Sequence, residues 1–215
     1  METTKPGWAL IIAGGKPVKP SLAARLGSPT WIIAADSGLD QANRLGIRPD
    51  LVIGDMDSVS PDALAAAARD QITIVRYPED KDATDLELAI DAATAAGFQR
   101  ATIIGGTGGR MAHTMANAML LLQERAIDVD WLTSRARITA LRNGQHGTYR
   151  ATAGPLLSVL AVGAPASCQS TGLKWPLDDN PLIPGSTRGI SNEITDSEAT
   201  VQVISGQALI IHERD

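Results

Sequence analysis

A single cysteine, Cys168, stands in a chain of 215 residues, which excludes an internal disulfide and any multi-cysteine zinc site. A catalytic thiol would need a nearby base, and the sequence shows none beside Cys168. Aromatic residues are scarce, at 3%, so Ala, Leu, Ile and Val must supply the core. No apolar run is long enough to span a bilayer. The stretch Met1-Glu2-Thr3-Thr4-Lys5 lacks the basic region and apolar segment of a signal peptide. The expectation is a cytoplasmic protein with no membrane partner. A long basic run is also missing and the net charge is −5, which argues against nucleic acid as a partner but leaves room for a local phosphate site. Neither GxxxxGK[ST] nor GxGxxG occurs. What is present is 44% hydrophobic residues, enough for one large or two modest folded domains rather than a disordered chain.

The apolar runs Trp8–Ala13, Thr30–Ala35, Leu51–Ile53, Gln71–Val75, Thr102–Ile104 and Val129–Leu132 read as short strands. Helical stretches alternate with them. One runs from about Leu39 to Leu45 and is closed by Gly46; another starts at Ser60-Pro61 and runs through Ala68. A third opens at Thr84 and Glu87, which have capping-box spacing, and a fourth extends from about Met111 to Arg125. In that last helix Met115, Ala118, Met119 and Leu122 are expected in the core, while His113 and Asn117 share a face. Strands alternating with helices predict a mostly parallel, Rossmann-like three-layer α/β domain over residues 1–133. From Thr133 the helical period disappears. Ile138–Leu141, Gly147–Tyr149, Leu156–Val162, Ala199–Ile204 and Ala208–His212 predict an antiparallel β-sandwich over 134–215, with Asp178–Thr187 as an exposed loop.

The densest chemistry is Gly54-Asp55-Met56-Asp57-Ser58, at the end of a buried strand. If the chain stays extended, the carboxylates of Asp55 and Asp57 point the same way. Two like charges about 4 Å apart repel by roughly 1 kcal/mol in water and about 4 kcal/mol at an effective dielectric near 20. A hard cation such as magnesium relieves that repulsion; a solvated Asp-rich turn is the alternative. Asp36 follows a strand and precedes a helix, where open α/β sheets bind ligands, or where Asp simply caps the helix. Glu79, Asp80, Asp82 and Asp85 crowd around Lys81, which would neutralise an acid or contact a phosphate; a solvated charged loop would look the same. The turn Gly105-Gly106-Thr107-Gly108-Gly109-Arg110 would aim backbone N–H groups and a guanidinium at an anion.

Four pieces in order resemble the thiamine pyrophosphokinases: Ala35-Asp36-Ser37-Gly38, then Pro49 to Ser58, then Lys81-Asp82-Ala83-Thr84-Asp85, then Gly108-Gly109-Arg110 with His113 and Asn117. Thr171 to Leu177 and Gly189 to Glu193 look like that family's two β-domain motifs. The resemblance implies an α/β domain followed by a β-sandwich, working as a homodimer with sites between subunits. It implies magnesium-dependent transfer of a diphosphate from ATP to the hydroxyl of thiamine, releasing AMP. By position, Asp55, Asp57 and Asp85 would hold magnesium, with Asp57, Asp82 and Asp85 as the catalytic acids. Asp82 is the candidate to accept the alcohol proton. Asp36, Lys81, Thr107, Gly108, Gly109, Arg110, His113 and Asn117 would serve the nucleotide. Trp175, Ser191 and Asn192 would lie at the thiamine end, with the indole stacking on the cationic ring.

One departure matters: the family pattern GGRxD is here Gly108-Gly109-Arg110-Met111-Ala112. Ala112 can neither accept a hydrogen bond nor hold a metal through its side chain. Trp175, where Tyr is common, keeps an aromatic ring. The alternatives to a working kinase are therefore a catalytically impaired relative that binds nucleotide or a thiamine-like ligand as a sensor, and a pyrophosphokinase for another alcohol.

Overall fold

The computed structural model describes residues 7–214; the Met1-to-Lys5 stretch read above for a targeting signal lies outside them. The elements are β1 (Ala9–Ala13), α1 (Pro20–Ala23), β2 (Trp31–Ala35), α2 (Gly38–Leu45), β3 (Leu51–Gly54), α3 (Pro61–Arg69), β4 (Thr73–Arg76), α4 (Asp85–Ala95), β5 (Arg100–Ile104), α5 (Met111–Leu120) and β6 (Asp128–Leu132). Then come β7 (Ala136–Arg142), β8 (His146–Arg150), β9 (Leu156–Ala161), β10 (Ser167–Thr171), β11 (Asn192–Glu193), β12 (Glu198–Ser205) and β13 (Gln207–Glu213). The chain divides into two compact units. One runs to Leu120 and includes Glu124–Ser134; the other takes Leu121–Gln123 and the chain from Arg135 onward.

In the first unit the strands lie in the order β6-β5-β1-β2-β3-β4, every pair parallel. The strands are apolar throughout, as parallel strands covered by helices must be: all five residues of β1 and all four of β3 are buried. Leu10 and Ile12 pack with Ala42 of α2 and with Ile104, and α4 buries Leu86, Ala89, Ile90 and Ala93. Local sequence sets the helix ends. The Ser60 hydroxyl accepts from Ala63 N at 3.3 Å, the Thr84 hydroxyl accepts from Glu87 N at 3.2 Å, and Gly46 closes α2 in the left-handed region. The chain moves outward from β1 to β4, then crosses to β5 on the other side of β1. This puts a topological switch point between β1 and β5, and the loops at those carboxyl ends are where such sheets bind ligands.

The helix expected to reach Arg125 stops at Leu120. The carbonyls of Leu121 and Gln123 accept from Arg142 Nη2, at 2.7 and 2.8 Å, instead of continuing the helix. Met115 and Met119, expected in the core, are exposed; Asn117 is the buried residue of α5.

The second unit is a sandwich of two antiparallel sheets, β11-β9-β13-β7 and β10-β12-β8. Leu157, Val159 and Ile210 of one sheet and Tyr149, Cys168, Val201 and Val203 of the other share one core. The hydrophobic pattern does not announce β10, which is mostly polar, or β11, which has two residues. The 178–187 loop is not wholly exposed: Leu182 is buried, and its backbone N–H and C=O pair with Ala166.

Candidate functional site

The carboxyl ends of the parallel strands open into a cavity of about 520 Å³, lined by the loops after β1, β2, β3 and β5, the approach to α4 and the first turns of α5. Its lining is acidic on one side, with Asp36, Asp55, Asp57, Glu79 and Asp85, and carries Lys81, Arg110 and His113 as well.

The Asp55-Met56-Asp57 loop is not extended. Met56 adopts φ 69°, its side chain is buried against Val52, Val59 and Ala63, and Asp57 N donates to Asp55 Oδ1 at 3.2 Å. This left-handed residue, rather than strand alternation, draws the two carboxylates together. Asp36 is also left-handed, at φ 48°. Its N–H donates to the Ile53 carbonyl at 2.9 Å, which ties β2 to β3. The helix N-cap is Ser37, so Asp36 is not spent on capping. One oxygen each of Asp36, Asp55 and Asp57 lies within 4.8 Å of the others. Gly54 (φ 147°) makes room for this: a Cβ there would sit 3.0 Å from Asp85 Cγ and 3.2 Å from Asp36 Cβ.

The group closest together is therefore Asp36, Asp55 and Asp57. Asp85, expected as a third metal ligand, instead faces Lys81 with Oδ1 3.2 Å from Nζ, while Lys81 also donates to Asp55 Oδ2 at 2.5 Å. The Lys81 hydrogen bond holds the Asp55 carboxyl below its ordinary value. Partial desolvation, then repulsion from Asp55, pushes Asp57 up. Burial pushes Asp85 up, against the pull of Lys81. Burial opposes the charge of Lys81, but its hydrogen bonds to Asp55 and Asp85 prevail and hold its ammonium above the ordinary value.

The donor set fits a hard divalent cation. All the donors are carboxylate oxygens, and Asp36, nine-tenths buried, keeps Oδ1 without a hydrogen-bond partner. Its other oxygen accepts from the Ser58 hydroxyl. An unsatisfied buried carboxylate oxygen costs free energy unless a cation meets it.

The remaining expected residues divide. Gly109, Arg110, His113 and Asn117 line the same cavity. Asn117, however, donates to the Gly106 carbonyl at 3.0 Å and is buried, so it shapes the glycine turn from behind. Thr107 and Gly108 lie outside the lining: the Thr107 carbonyl accepts from Lys16 N at 2.7 Å, and the stem of Lys16 packs across Gly108. Asp82 is exposed and also outside the lining, whereas Glu79 is within it. Gln41 was not singled out from sequence, and Ser58 was read only as the close of the two-acid loop. Gln41 is buried, donates to the Lys16 carbonyl at 2.8 Å and accepts from Val18 N at 3.1 Å, pinning the loop after β1. A polar residue on a helix gives no sign that its partners lie more than 20 residues away; Ser58, closing the two-acid loop, was the more legible.

In the second unit Trp175 is half exposed, with Lys174 Nζ 4.7 Å from its ring centroid. The buried amide of Asn192 accepts from Trp175 N at 3.1 Å and donates to Trp175 O at 2.6 Å. Asn192 thus fixes the backbone that presents the indole. Ser191 is exposed and left-handed (φ 54°), its N–H donating to Ser158 Oγ at 3.0 Å. Cys168 is buried in the sandwich core, and burial pushes its thiol up, as suits an inert cysteine.

Residues 23–130 match the family model described as thiamin pyrophosphokinase, catalytic domain, and residues 145–208 match thiamin pyrophosphokinase, vitamin B1 binding domain. The chain is 30% identical over 194 residues to thiamine pyrophosphokinase 1 of Oryza sativa subsp. japonica, covering 86% of this chain and 72% of that protein. It is 28% identical over 209 residues to thiamine pyrophosphokinase of Bacillus subtilis, covering 95% and 98%. The crystal structure of thiamine pyrophosphokinase from Bacillus subtilis superposes with a TM-score of 0.85 at 26% identity, covering 97% of this chain and 99% of that one.

Proposed function

Because the chain belongs to the thiamine pyrophosphokinase family, we propose that it transfers a diphosphate group from ATP to the hydroxyl of thiamine, giving thiamine diphosphate and AMP with magnesium as the required ion. The observation that carries this reading is the convergence of Asp36, Asp55 and Asp57 at the carboxyl end of a parallel sheet, with Asp36 Oδ1 unsatisfied.

In this reading Asp36, Asp55 and Asp57 hold the ion, with Asp85 beside them. The ion supplies neutralisation of phosphate charge and polarisation of the transferred phosphorus. Arg110 and the N–H groups of the glycine turn hold the polyphosphate, and His113 flanks it. The thiamine hydroxyl oxygen bonds to the β-phosphorus as the bond from that phosphorus to the α–β bridging oxygen breaks, and AMP departs with the electron pair. The hydroxyl proton passes to a carboxylate of the cavity. Glu79 lines it while Asp82 does not, so Glu79 takes the role sequence gave to Asp82. The first unit serves nucleotide and metal; the second, through Trp175, serves the thiamine ring. A homodimer belongs to the same reading, supported by the exposed face of α5, where Met111, Met115 and Met119 stand four residues apart.

A second reading, a relative that binds without efficient transfer, draws on Ala112, which is exposed in the first turn of α5 where the family pattern places an acid. Mass spectrometry of the products from ATP, magnesium and thiamine separates the readings. Equimolar AMP and thiamine diphosphate is the expected result. ADP with thiamine monophosphate would contradict diphosphate transfer, and no product with retained thiamine binding would favour the sensor.

A further inference from the structure

Lys81 sits inside the acid cluster rather than at its edge. Its ammonium is 2.5 Å from Asp55 Oδ2 and 3.2 Å from Asp85 Oδ1, and its side chain is 12% exposed. The two carboxylates come from different elements, Asp55 from the loop after β3 and Asp85 from the first turn of α4, so Lys81 ties the loop to the helix. Asp36 and Asp57 stand beside this pair, and acids outnumber cations along that wall of the cavity. The Asp36 oxygen without a partner, in a nine-tenths buried side chain, points to a further cation beyond Lys81.

Resting on the proposed function, we propose that Lys81 is an exchangeable internal cation: it holds Asp55 and Asp85 until a divalent ion claims the cluster, then releases them and carries its charge to the phosphates of the nucleotide. A dication drawn to an oxygen already paired with an ammonium at 2.5 Å is repelled by that nearby positive charge, so the lysine weakens metal binding while it stays in place. Lysine suits such an exchange because its charge sits on a flexible four-carbon stem with three rotatable donors, whereas the planar fork of arginine is fixed. The motion removes the competing charge from the carboxylates and delivers it where negative charge arrives. Lys81 is thus a positioning residue for the metal and a binding residue for the nucleotide.

Two opposite changes follow in the variant Lys81→Met, read by Mn2+ titration of the nucleotide-free protein and by ATP binding at saturating Mn2+. If the lysine-paired arrangement outweighs the open one about tenfold, the apparent Mn2+ dissociation constant of the unaltered protein is raised about tenfold, and the variant recovers that factor. Its ATP affinity at saturating Mn2+, where the lysine has been released to the phosphates, falls about fivefold or more, the scale of one lost charge contact to phosphate. Lys81→Arg keeps the charge but grips the carboxylates in a fixed fork, so it does not recover the Mn2+ affinity that Lys81→Met gains. A second measurement needs no variant: mass-spectrometric amine labelling of the unaltered protein, in which Mn2+ alone makes Lys81 more reactive and added ATP protects it again. Equal Mn2+ affinity in both proteins, or labelling of Lys81 indifferent to Mn2+, overturns the proposal while leaving the metal site standing. Absence of saturable Mn2+ binding in either protein removes the site and the proposal together.

Discussion

Met56 spends backbone energy to build a site. A non-glycine residue in the left-handed region costs roughly 1–2 kcal/mol, and here the cost is offset by burial of its side chain against Val52, Val59 and Ala63. The gain is that Asp55 and Asp57 face one point. Their repulsion sets the first prediction. The Asp57 carboxyl is pushed up, so the folded protein binds that proton more tightly than the unfolded chain does. The cost of ionising Asp57 is present above the raised value and fades as pH falls through it. Asp57→Asn should therefore raise the melting temperature at neutral pH in EDTA by about 1–2 °C, a small effect because the group is exposed. The advantage should shrink as the solution is acidified, while transfer activity is lost throughout. A melting difference that does not change with pH would contradict this account. At this scale the sequence was legible in residue type but not in arrangement. The two acids and Ser58 stood out by spacing, yet the left-handed turn was invisible because Met has no propensity for it. The pairing of Asp85 with Lys81, and the approach of Asp36 to Asp55 and Asp57, depend on which loops the sheet brings together.

The elements converge on the site through close backbone approach. Gly38, the first residue of α2, lies against β1: a Cβ there would be 1.9 Å from the Ile12 carbonyl oxygen and 2.7 Å from its carbon. That contact holds Ser37 against Gly14, where a Cβ would be 2.2 Å from Ser37 Oγ, and so fixes Asp36 over the end of β3. Because the obstacle is backbone, Gly38→Ala should destabilise by about 1–3 kcal/mol in equilibrium urea unfolding and weaken Mn2+ binding in parallel. A variant of unchanged stability would show that α2 can shift without cost. Most elements could be read from sequence: β1 to β6, the cap at Ser60, the box at Thr84 and the stop at Gly46 follow from periodicity and capping chemistry. Those that could not be read had tertiary causes. α5 ends five residues earlier than its pattern suggests because Arg142 binds the carbonyls of Leu121 and Gln123. β10 and β11 carry little apolar signal and exist through their pairing with β12 and β9.

For the molecule as a whole, each unit has its own core and its own part of the expected chemistry: the acid cavity in the first, the Asn192-clamped Trp175 in the second. The fold class, a parallel α/β unit and an antiparallel sandwich, was legible because the hydrophobic period changes near Thr133. What no period could convey is whether Ala112 matters. The most direct test is AMP release from ATP and magnesium, with and without thiamine, comparing the unaltered protein with Asp57→Ala and Ala112→Asp. The account predicts thiamine-dependent AMP from the unaltered protein and a loss of at least about 100-fold in Asp57→Ala, the scale for removing one group that stabilises transition-state charge. AMP release undiminished in Asp57→Ala, or absent from both the unaltered protein and Ala112→Asp, would contradict it.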